Sequence, residues 1–271
     1  MDRPTDAAGS PGSDAAPAAS RPQPEPVQRW RLTFGRDPVA PDMVGRAAVD
    51  AWQAALAASG LAVARLGSPT AGEPSRYRFS LGAPLQAASA GRAELAEIWL
   101  LERVAAWRLR EALADRLPPG HRWVDAEDVW LGAPPLPGQV VAAEWIVLLA
   151  PAALDAGSLA AAAHRVLAAP SLPRVRAKAG GERTYDLRPL LSDVSIAGGD
   201  DGRTLIRITT RLDPALGSGR PEEVVAVLGE AAGATTPPAI DSIVRERLVL
   251  AEPGGPAAPF RLVSSPKRPR R

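Results

Sequence analysis

The chain of 271 residues is 46% hydrophobic, carries a net charge of +2 and contains no cysteine. This length and apolar content suffice for one large domain or two small ones with a buried core. The absence of cysteine excludes disulfides, thiolate metal sites, iron–sulfur clusters and cysteine nucleophiles. With only two histidines, a multi-histidine metal site is excluded as well. We therefore expect neither a metal nor a cofactor.

The positive charge is concentrated in the last residues of the chain. Lys267, Arg268, Arg270 and Arg271 are four of the 32 basic residues, and the remaining 28 face 30 acidic residues, a net charge of −2. A body with this charge gives little support for tight nucleic-acid binding, which needs a concentrated basic surface. The four tail residues are candidates for weak, salt-sensitive contacts with nucleic acid.

Both ends of the chain have the composition of disordered tails. Residues 1–28 are rich in Ala, Pro, Ser, Asp and Gly, so burial of apolar surface would not offset the entropy of ordering them. Residues 253–271 form a second, basic tail. The N-terminus lacks the apolar run of a secretory signal, and no segment approaches the roughly 18 apolar residues of a membrane span. We therefore expect a cytoplasmic protein that does not contact membranes.

The first half of the body, residues 29–133, shows the pattern of a β-α-β-β-α-β unit. The segment from Glu94 to Val104 is ambiguous, because helical propensity alone would give one helix from Ala93 to Leu117. We predict a strand followed by a helix there, since the preceding strand would otherwise lack a hairpin partner. The other predicted elements are strands at residues 30–34, 77–81 and 122–130 and a helix between Pro41 and Gly60.

The second half, residues 140–252, repeats this plan with one additional hairpin. The prolines of residues 134–139 predict a stiff linker between the halves. The predicted elements are a strand at residues 144–150, a helix from Ser158 to Pro170, hairpins around Gly180 and residues 198–202, a helix from Pro221 and a strand from Ile243 to Leu250. The predicted fold class is α+β, with two ferredoxin-like (βαββαβ) units in tandem, flanked by disordered tails.

Asp186 and Arg188, in the segment TYDLRPLL, are the best isolated pair of candidate binding residues. A carboxylate and a guanidinium at this spacing could bind a ligand, and the favoured alternative is an ion pair that fixes the turn before Pro189. His121 and His164 have no nucleophile or carboxylate at a recognisable motif spacing. We expect His121 in a loop and His164 on the solvated face of a helix.

Four arginines on two predicted strands are further candidates. Arg207 and Arg211 share one face of their strand, and Arg245 and Arg247 are expected to share one face of the last strand. In a ferredoxin-like sheet the helices cover one face, so these arginines could line the open face, as in RNA-binding sheets. Interleaved aromatic residues for base stacking are absent, so solvated residues or a docking surface between the halves is the favoured alternative.

Three stretches resemble a known family. They are AELAEIWL at residues 93–100, LPPGHRWVDAEDVWLGAPPL at residues 117–136, and the pair RTYDLRPLL and RPEEVVAVL at residues 183–191 and 220–228. They are similar to the radical SAM-linked protein family, a bacterial domain of unknown function. That family is fused behind, or encoded beside, cobalamin-binding radical SAM enzymes, and often lies near genes for RNA processing and ribosomal proteins. The resemblance covers about residues 28–252.

The chain departs from the family's pattern in two places. Residues 40–44, APDMV, stand where the family usually has a Ser-His-Leu/Arg-Asp motif. Residues 67–74 stand in place of its Gly-Phe-Asn-Pro-His-Pro loop. Because the histidines and the asparagine of these motifs are missing here, no catalytic residue is carried over from the family.

Two hypotheses for the function follow. The resemblance implies a non-catalytic accessory protein of a radical SAM enzyme, which presents substrate to that enzyme or docks on it. The alternative is a stand-alone RNA-binding module in RNA processing or modification. Under both hypotheses the chain itself is not an enzyme.

Overall fold

The computed structural model describes residues 24–66, 75–151, 154–178, 181–198 and 203–251. Residues 1–23 of the predicted N-terminal tail (residues 1–28) and all of the predicted C-terminal tail (residues 253–271) lie outside these ranges. Eleven strands and five helices lie within these ranges. The strands are β1 (Gln28–Arg36), β2 (Phe79–Leu81), β3 (Ala90–Leu100), β4 (His121–Asp128), β5 (Val140–Leu149), β6 (Pro173–Lys178), β7 (Gly181–Asp186), β8 (Leu191–Gly198), β9 (Thr204–Asp213), β10 (Gly217–Ser218) and β11 (Ile240–Leu250). The helices are α1 (Arg46–Ala58), α2 (Ala106–Leu113), α3 (Leu136–Gln139), α4 (Ala156–Ala168) and α5 (Pro221–Ala231).

Nine of the strands form one mixed sheet in the order β10-β9-β5-β11-β3-β1-β4, with β2 paired to β3 and β8 paired to β9. The predicted α+β class is confirmed, but the two halves do not have separate sheets. β11 runs parallel to the start of β3, with Val244 opposite Ala90 and Arg245 opposite Gly91. Because β2 covers only the later part of β3, the earlier part would otherwise be an open sheet edge. β11 pairs with that edge and joins the halves.

The ambiguous segment in the first half is a strand followed by a helix, as predicted. β3 ends at Leu100 and α2 begins at Ala106, so a continuous helix is excluded. β3 pairs with β1 along nearly its whole length, from Gln28 opposite Leu100 to Arg36 opposite Gly91. This long-range pairing outweighs helical propensity, which differs by at most about 0.7 kcal/mol per residue among ordinary residues.

Two predicted boundaries differ in the structure. β1 begins at Gln28, inside the predicted N-terminal tail, because this side chain is held at both ends. It accepts a hydrogen bond from the Val104 backbone N–H at 2.8 Å and donates one to Asp128 at 2.7 Å. The proline-rich segment 134–139 contains the helical turn α3, whose Leu136 is fully buried. The segment therefore packs against the body instead of only connecting its halves.

The helices cover the sheet and form two apolar cores. In the first, Trp52 and Leu56 of α1 and Leu109 of α2 are buried against β1. In the second, α4 and α5 cover β5 and β9. Each fully buried leucine side chain stabilises the fold by about 1.5–3 kcal/mol relative to an exposed one. Val44, Ala48, Trp52 and Leu56 recur every four residues, which predicts one apolar face for α1. Trp52 and Leu56 enter the core, whereas Val44 and Ala48 line a cavity.

Buried charge lies on the other face of β1, where arginines alternate with the core residues. Arg29 and Arg31 both donate to Glu97, which is fully buried. Arg29 also donates to the carbonyl of Ala133 at 2.6 Å, just before the segment that contains α3. These contacts fix the connection between the halves against the sheet.

Candidate ligand-binding cavity

A cavity of 660 Å³ lies where the two halves of the chain meet. Its walls are the start of α1, the loop of residues 82–86 between β2 and β3, and the start of α5. Its floor is formed by strands on both sides of the seam between β3 and β11. The volume lies within the range of small-molecule sites, about 300–1,000 Å³.

One wall of the cavity is apolar. Val44, Ala48 and Val49 contribute from the start of α1, and Leu81 and Leu95 contribute from β2 and β3. All five residues are half-buried, so part of their surface is open. This wall can cover an apolar group of a ligand.

Three rings support the apolar wall. Phe34 contacts Trp52 edge-on, with ring centroids 5.0 Å apart, and stacks on His121 at 5.3 Å. The prediction of a loop position for His121 is wrong, because it begins β4 and lies opposite Arg36 of β1. Its Nδ1 lies 3.1 Å from the Pro119 carbonyl oxygen, which assigns the proton to Nδ1 and leaves Nε2 as an acceptor. Burial lowers the pKa of His121 below its usual value, and the charge of Arg36 acts in the same direction.

The floor of the cavity holds a buried ion pair that joins the two halves. Arg245 Nε donates to Glu94 Oε1 at 2.8 Å, and a terminal nitrogen of Arg245 donates to Glu94 Oε2. The two side chains are only 2% and 5% exposed. Arg245 also donates to the carbonyls of Pro84 at 2.9 Å and Ala83 at 3.0 Å. Because the contact is charge-assisted and bidentate, Glu94 is committed to Arg245.

Arg36 lies on the same floor and forms no ion pair with a carboxylate among the described residues. It is 8% exposed. Its terminal nitrogens donate to the carbonyls of Leu85 at 3.2 Å, Ser89 at 2.8 Å and Gln86. Its Nε is buried and has no hydrogen-bond partner within the described ranges. One donor of this buried cation is therefore unsatisfied.

Two buried guanidinium groups thus face one carboxylate. Burial lowers the pKa of Arg36, Glu94 opposes this shift and Arg245 adds to it. Arginine nevertheless stays protonated in proteins, so the floor carries one positive charge more than its buried carboxylate balances. An unbalanced buried charge is unfavourable. The site therefore favours the binding of an anion.

Two helices begin at the cavity, and neither start is capped by a side-chain hydrogen bond. α1 follows Gly45 and α5 follows Arg220, and both of these N-cap residues line the cavity. The free N–H groups at the start of α1 act like about half a positive charge, which adds to the charge of the floor. α5 adds little, because Pro221 has no N–H and the Glu223 N–H donates to the Arg220 carbonyl at 3.1 Å. Gly45 has φ = 64° and ψ = −120°, a conformation that glycine adopts far more readily than other residues.

The prediction that Arg245 and Arg247 share a face is wrong. Arg245 lies opposite Trp145 and Arg247 lies opposite Glu144, with a register shift in β11 between them. Glu144 and Trp145 are successive residues of β5 and therefore lie on opposite faces, so the bulge in β11 separates the two arginines. Arg247 pairs with Glu144 at 2.8 Å, away from the cavity.

The other predicted binding residues also lie outside the cavity. Arg207 and Arg211 are both exposed on β9, where they alternate with buried residues, and Arg211 Nε donates to Ser192 at 3.0 Å. His164 is exposed on α4, as predicted. The tail candidates Lys267, Arg268, Arg270 and Arg271 lie outside the described residues.

The side chains of Asp186 and Arg188 form hydrogen bonds with nearby backbone groups. Asp186 Oδ1 accepts hydrogen bonds from the N–H groups of Leu172 at 2.7 Å and Arg188 at 2.9 Å. These bonds, that from Leu172 above all, lower the pKa of Asp186. The Arg188 guanidinium donates to the carbonyls of Leu191 at 2.9 Å and Leu167 at 2.8 Å. These hydrogen bonds join each side chain to backbone groups around the turn, whereas the favoured alternative is an ion pair between the two side chains.

Of the charged residues that line the cavity, Arg245 was a candidate binding residue from the sequence, whereas Arg36, Glu94 and Arg220 were not identified. A signal exists for Glu94, because a carboxylate in the apolar strand AELAEIWL needs a buried partner. Arg36 and Arg220 follow ordinary strand and turn segments and carry no such signal. In the described part of the chain, no group of three or more His, Asp or Glu side chains is placed to hold a metal ion. No described helix has the length and apolarity to cross a membrane.

The chain is distantly similar to chains of two solved complexes. It is similar to a chain of the archaeal box H/ACA sRNP Nop10-Cbf5 complex, with 10% identity and a TM-score of 0.42, over 81% of this chain and 47% of that one. It is also similar to a chain of a Cbf5-Nop10-Gar1 complex, with 10% identity and a TM-score of 0.40, over 80% and 49%. The chain thus spans about half the length of these structures. Likeness at this level supports no inference about function.

No curated protein matches the chain. One family model does, over residues 70–220, which is more than half of the sequence. The matched range includes the loop of residues 82–86, Glu94 and His121, and it ends at Arg220. The chain therefore belongs to DUF2344, a family of uncharacterized proteins conserved in bacteria.

Proposed function

We propose that this protein is a non-catalytic binding protein that holds a small anionic ligand in the cavity between its halves and presents it to a partner enzyme. The observation that carries this proposal is the charge of the cavity floor, where Arg36 and Arg245 face only Glu94. A bound anion would supply the missing negative charge. The start of α1 would add backbone donors, as helix starts do in many phosphate sites.

The binding of inorganic phosphate to the full chain tests this site. Phosphate at one hundred times its Kd should raise the free energy of unfolding by about 2.7 kcal/mol at constant ionic strength. Arg220→Gln should weaken the binding, because it removes an exposed positive charge that lines the cavity. Arg108→Gln, a change of an exposed arginine on α2, is the matched control and should have no effect. Phosphate that does not bind, or that binds Arg220→Gln unchanged, would contradict the proposal.

The partner implied by the family resemblance is a radical SAM enzyme. Such an enzyme holds its cluster on cysteine thiolates, and this chain has no cysteine. The radical chemistry would therefore take place on the partner. Affinity purification of the full chain from its native host, under anaerobic conditions, should recover a cysteine-containing radical SAM protein. Recovery of RNA without such an enzyme would favour the alternative function instead.

The alternative is a stand-alone RNA-binding module, and one observation favours it. Arg207 and Arg211 are exposed on the same face of β9, where they could contact successive phosphates. If this function is correct, replacing both residues by glutamine should abolish recovery of RNA. Unchanged recovery would exclude this face as the RNA site.

We also propose that each half of the chain is a ferredoxin-like unit. Its support is the strand order, β4-β1-β3-β2 in the first half and β11-β5-β9-β8 in the second. In the first half α1 follows β1 and α2 follows β3, and in the second half α4 follows β5 and α5 follows β9, with the short β10 before α5. Each half therefore has the chain order of a ferredoxin-like unit. An experimental structure with a different order in either half would overturn this proposal.

A further inference from the structure

We infer that the ligand of this cavity is a phosphate monoester with an apolar body, and not a simple carboxylate or a bare inorganic anion. The inference rests on the proposed function, because it takes the cavity to be the binding site. Two features of the cavity carry it. They are the amount of positive charge around the floor and the apolar wall at the start of α1.

The charge of the site selects the head group. Arg36 contributes one unbalanced positive charge, Arg220 contributes a second, and the start of α1 contributes about half a charge. Glu222, in the first turn of α5, subtracts one charge when ionised, and its side chain lies 3.5 Å from Gln86. The sum is about +1.5. A phosphate monoester carries about −1.5 to −2 at pH 7, whereas a carboxylate carries one negative charge, so phosphate balances the site more closely.

The apolar wall selects the body of the ligand. Val44, Ala48, Val49, Leu81 and Leu95 line the cavity with part of their surface open. An inorganic anion would occupy a small part of 660 Å³ and leave this surface in contact with water. An apolar body would cover it, which is favourable in proportion to the area removed from water.

The two features adjoin each other in the structure. Val44 and Gly45 immediately precede α1, and Ala48 and Val49 lie in its first turn, so one short segment supplies both apolar surface and free N–H groups. Arg36 and His121, which lie opposite each other on β1 and β4, also line the cavity. A head group at the floor can therefore be joined to a body along α1 within a single small molecule.

A homologous series of alkyl phosphates tests the inference by isothermal titration calorimetry. The probes are inorganic phosphate and methyl, propyl and hexyl phosphate at one pH and ionic strength. Affinity should rise by about fourfold per methylene while the wall is being covered. Alkyl carboxylates of equal chain length should bind at least about tenfold more weakly, because they carry half the charge.

Two matched pairs of variants test the head group and the apolar body of the ligand separately. Arg220→Gln should weaken every alkyl phosphate by a similar factor, whereas Arg108→Gln should change none. Ala48→Phe fills part of the apolar wall, so it should lose the gain in affinity with chain length. Ala54→Phe, on the exposed side of the same helix, is its control and should keep that gain. An unchanged gain in Ala48→Phe would overturn the inference.

The possible failures are distinguishable. If inorganic phosphate binds in a manner that depends on Arg220 but affinity does not rise from methyl to hexyl phosphate, the apolar body is wrong and the proposed function stands. If carboxylates bind as tightly as phosphates of equal length, the head group is wrong. If neither inorganic phosphate nor any ester binds, the inference and the proposed anion site fail together.

Discussion

The ion pair between Arg245 and Glu94 leads to a stability prediction whose size can be worked out from the structure. Glu94→Gln keeps the shape of the side chain but removes the one carboxylate that balances two buried arginines. Loss of one partner of a buried pair costs about 3–5 kcal/mol, since the remaining charge has no counter-ion. Exposures of 2% and 5% place the pair in this class. We expect about 3 kcal/mol, because the glutamine carbonyl still accepts a hydrogen bond.

Urea unfolding followed by tryptophan fluorescence measures this loss. The matched control is Glu144→Gln, which breaks the bidentate pair with Arg247, where the arginine is 35% and the glutamate 22% exposed. Solvent screening should limit the cost of that change to about 0–1 kcal/mol. For a chain of this size, a loss of 3 kcal/mol corresponds to a fall in melting temperature of about 6–12 °C.

Phosphate provides a second measurement on the same variant. It should stabilise Glu94→Gln more than the wild type, because the variant carries more unbalanced positive charge at the cavity floor. If Glu94→Gln costs no more than Glu144→Gln, the floor is not the low-dielectric site described above. An equal effect of phosphate on variant and wild type would show that the anion binds elsewhere.

Three further predictions concern the pH dependence of stability, the half-buried hydroxyl of Tyr185 and the C-terminal tail. The pKa of His121 is lowered from 6.5, so below about pH 6.5 the unfolded state binds more protons than the folded state, and the free energy of unfolding should fall as the pH drops through that value. His121→Gln should remove this pH dependence. If the free energy of unfolding of the variant and of the wild type changes with pH in parallel, the prediction is wrong. Tyr185 shares Glu223 with Arg176, and burial raises the pKa of Tyr185 from 10.0 to about 12. The contribution of the Tyr185 hydroxyl to the free energy of unfolding should therefore decline as the pH rises above 10. At neutral pH, Tyr185→Phe should lower the free energy of unfolding, measured in urea, by about 1 kcal/mol. Before deletion, the logarithm of the binding constant for duplex DNA should fall with the logarithm of the salt concentration, with a slope of about −0.9 per phosphate contact. Deleting residues 264–271 should abolish this weak binding. If binding survives the deletion, the nucleic-acid site lies on the sheet instead.

Local patterns were sufficient for most of the strands and helices. The alternation along β9 places Ile206 and Ile208 in the core and Arg207 in solvent, as expected from a period of two. The i, i+4 stripe of α1 likewise placed Trp52 in the core. These features follow from the sequence because a repeat of two or 3.6 residues is set by the backbone geometry of one element. Predicting the break between β3 and α2 required only one non-local argument, which is that the preceding strand needs a hairpin partner.

The single sheet and the cavity, in contrast, were decided by tertiary structure. Glu94 and Arg245 form a pair although they lie 151 residues apart, and no local period relates two such positions. The bulge in β11 moved Arg247 away from the face of Arg245, because one extra residue in a strand reverses every later side chain. Burial also determined the charge of the cavity. In the sequence Arg36 resembles any strand arginine. It favours an anion only because the fold buries it beside Glu94, a carboxylate that is already paired with Arg245.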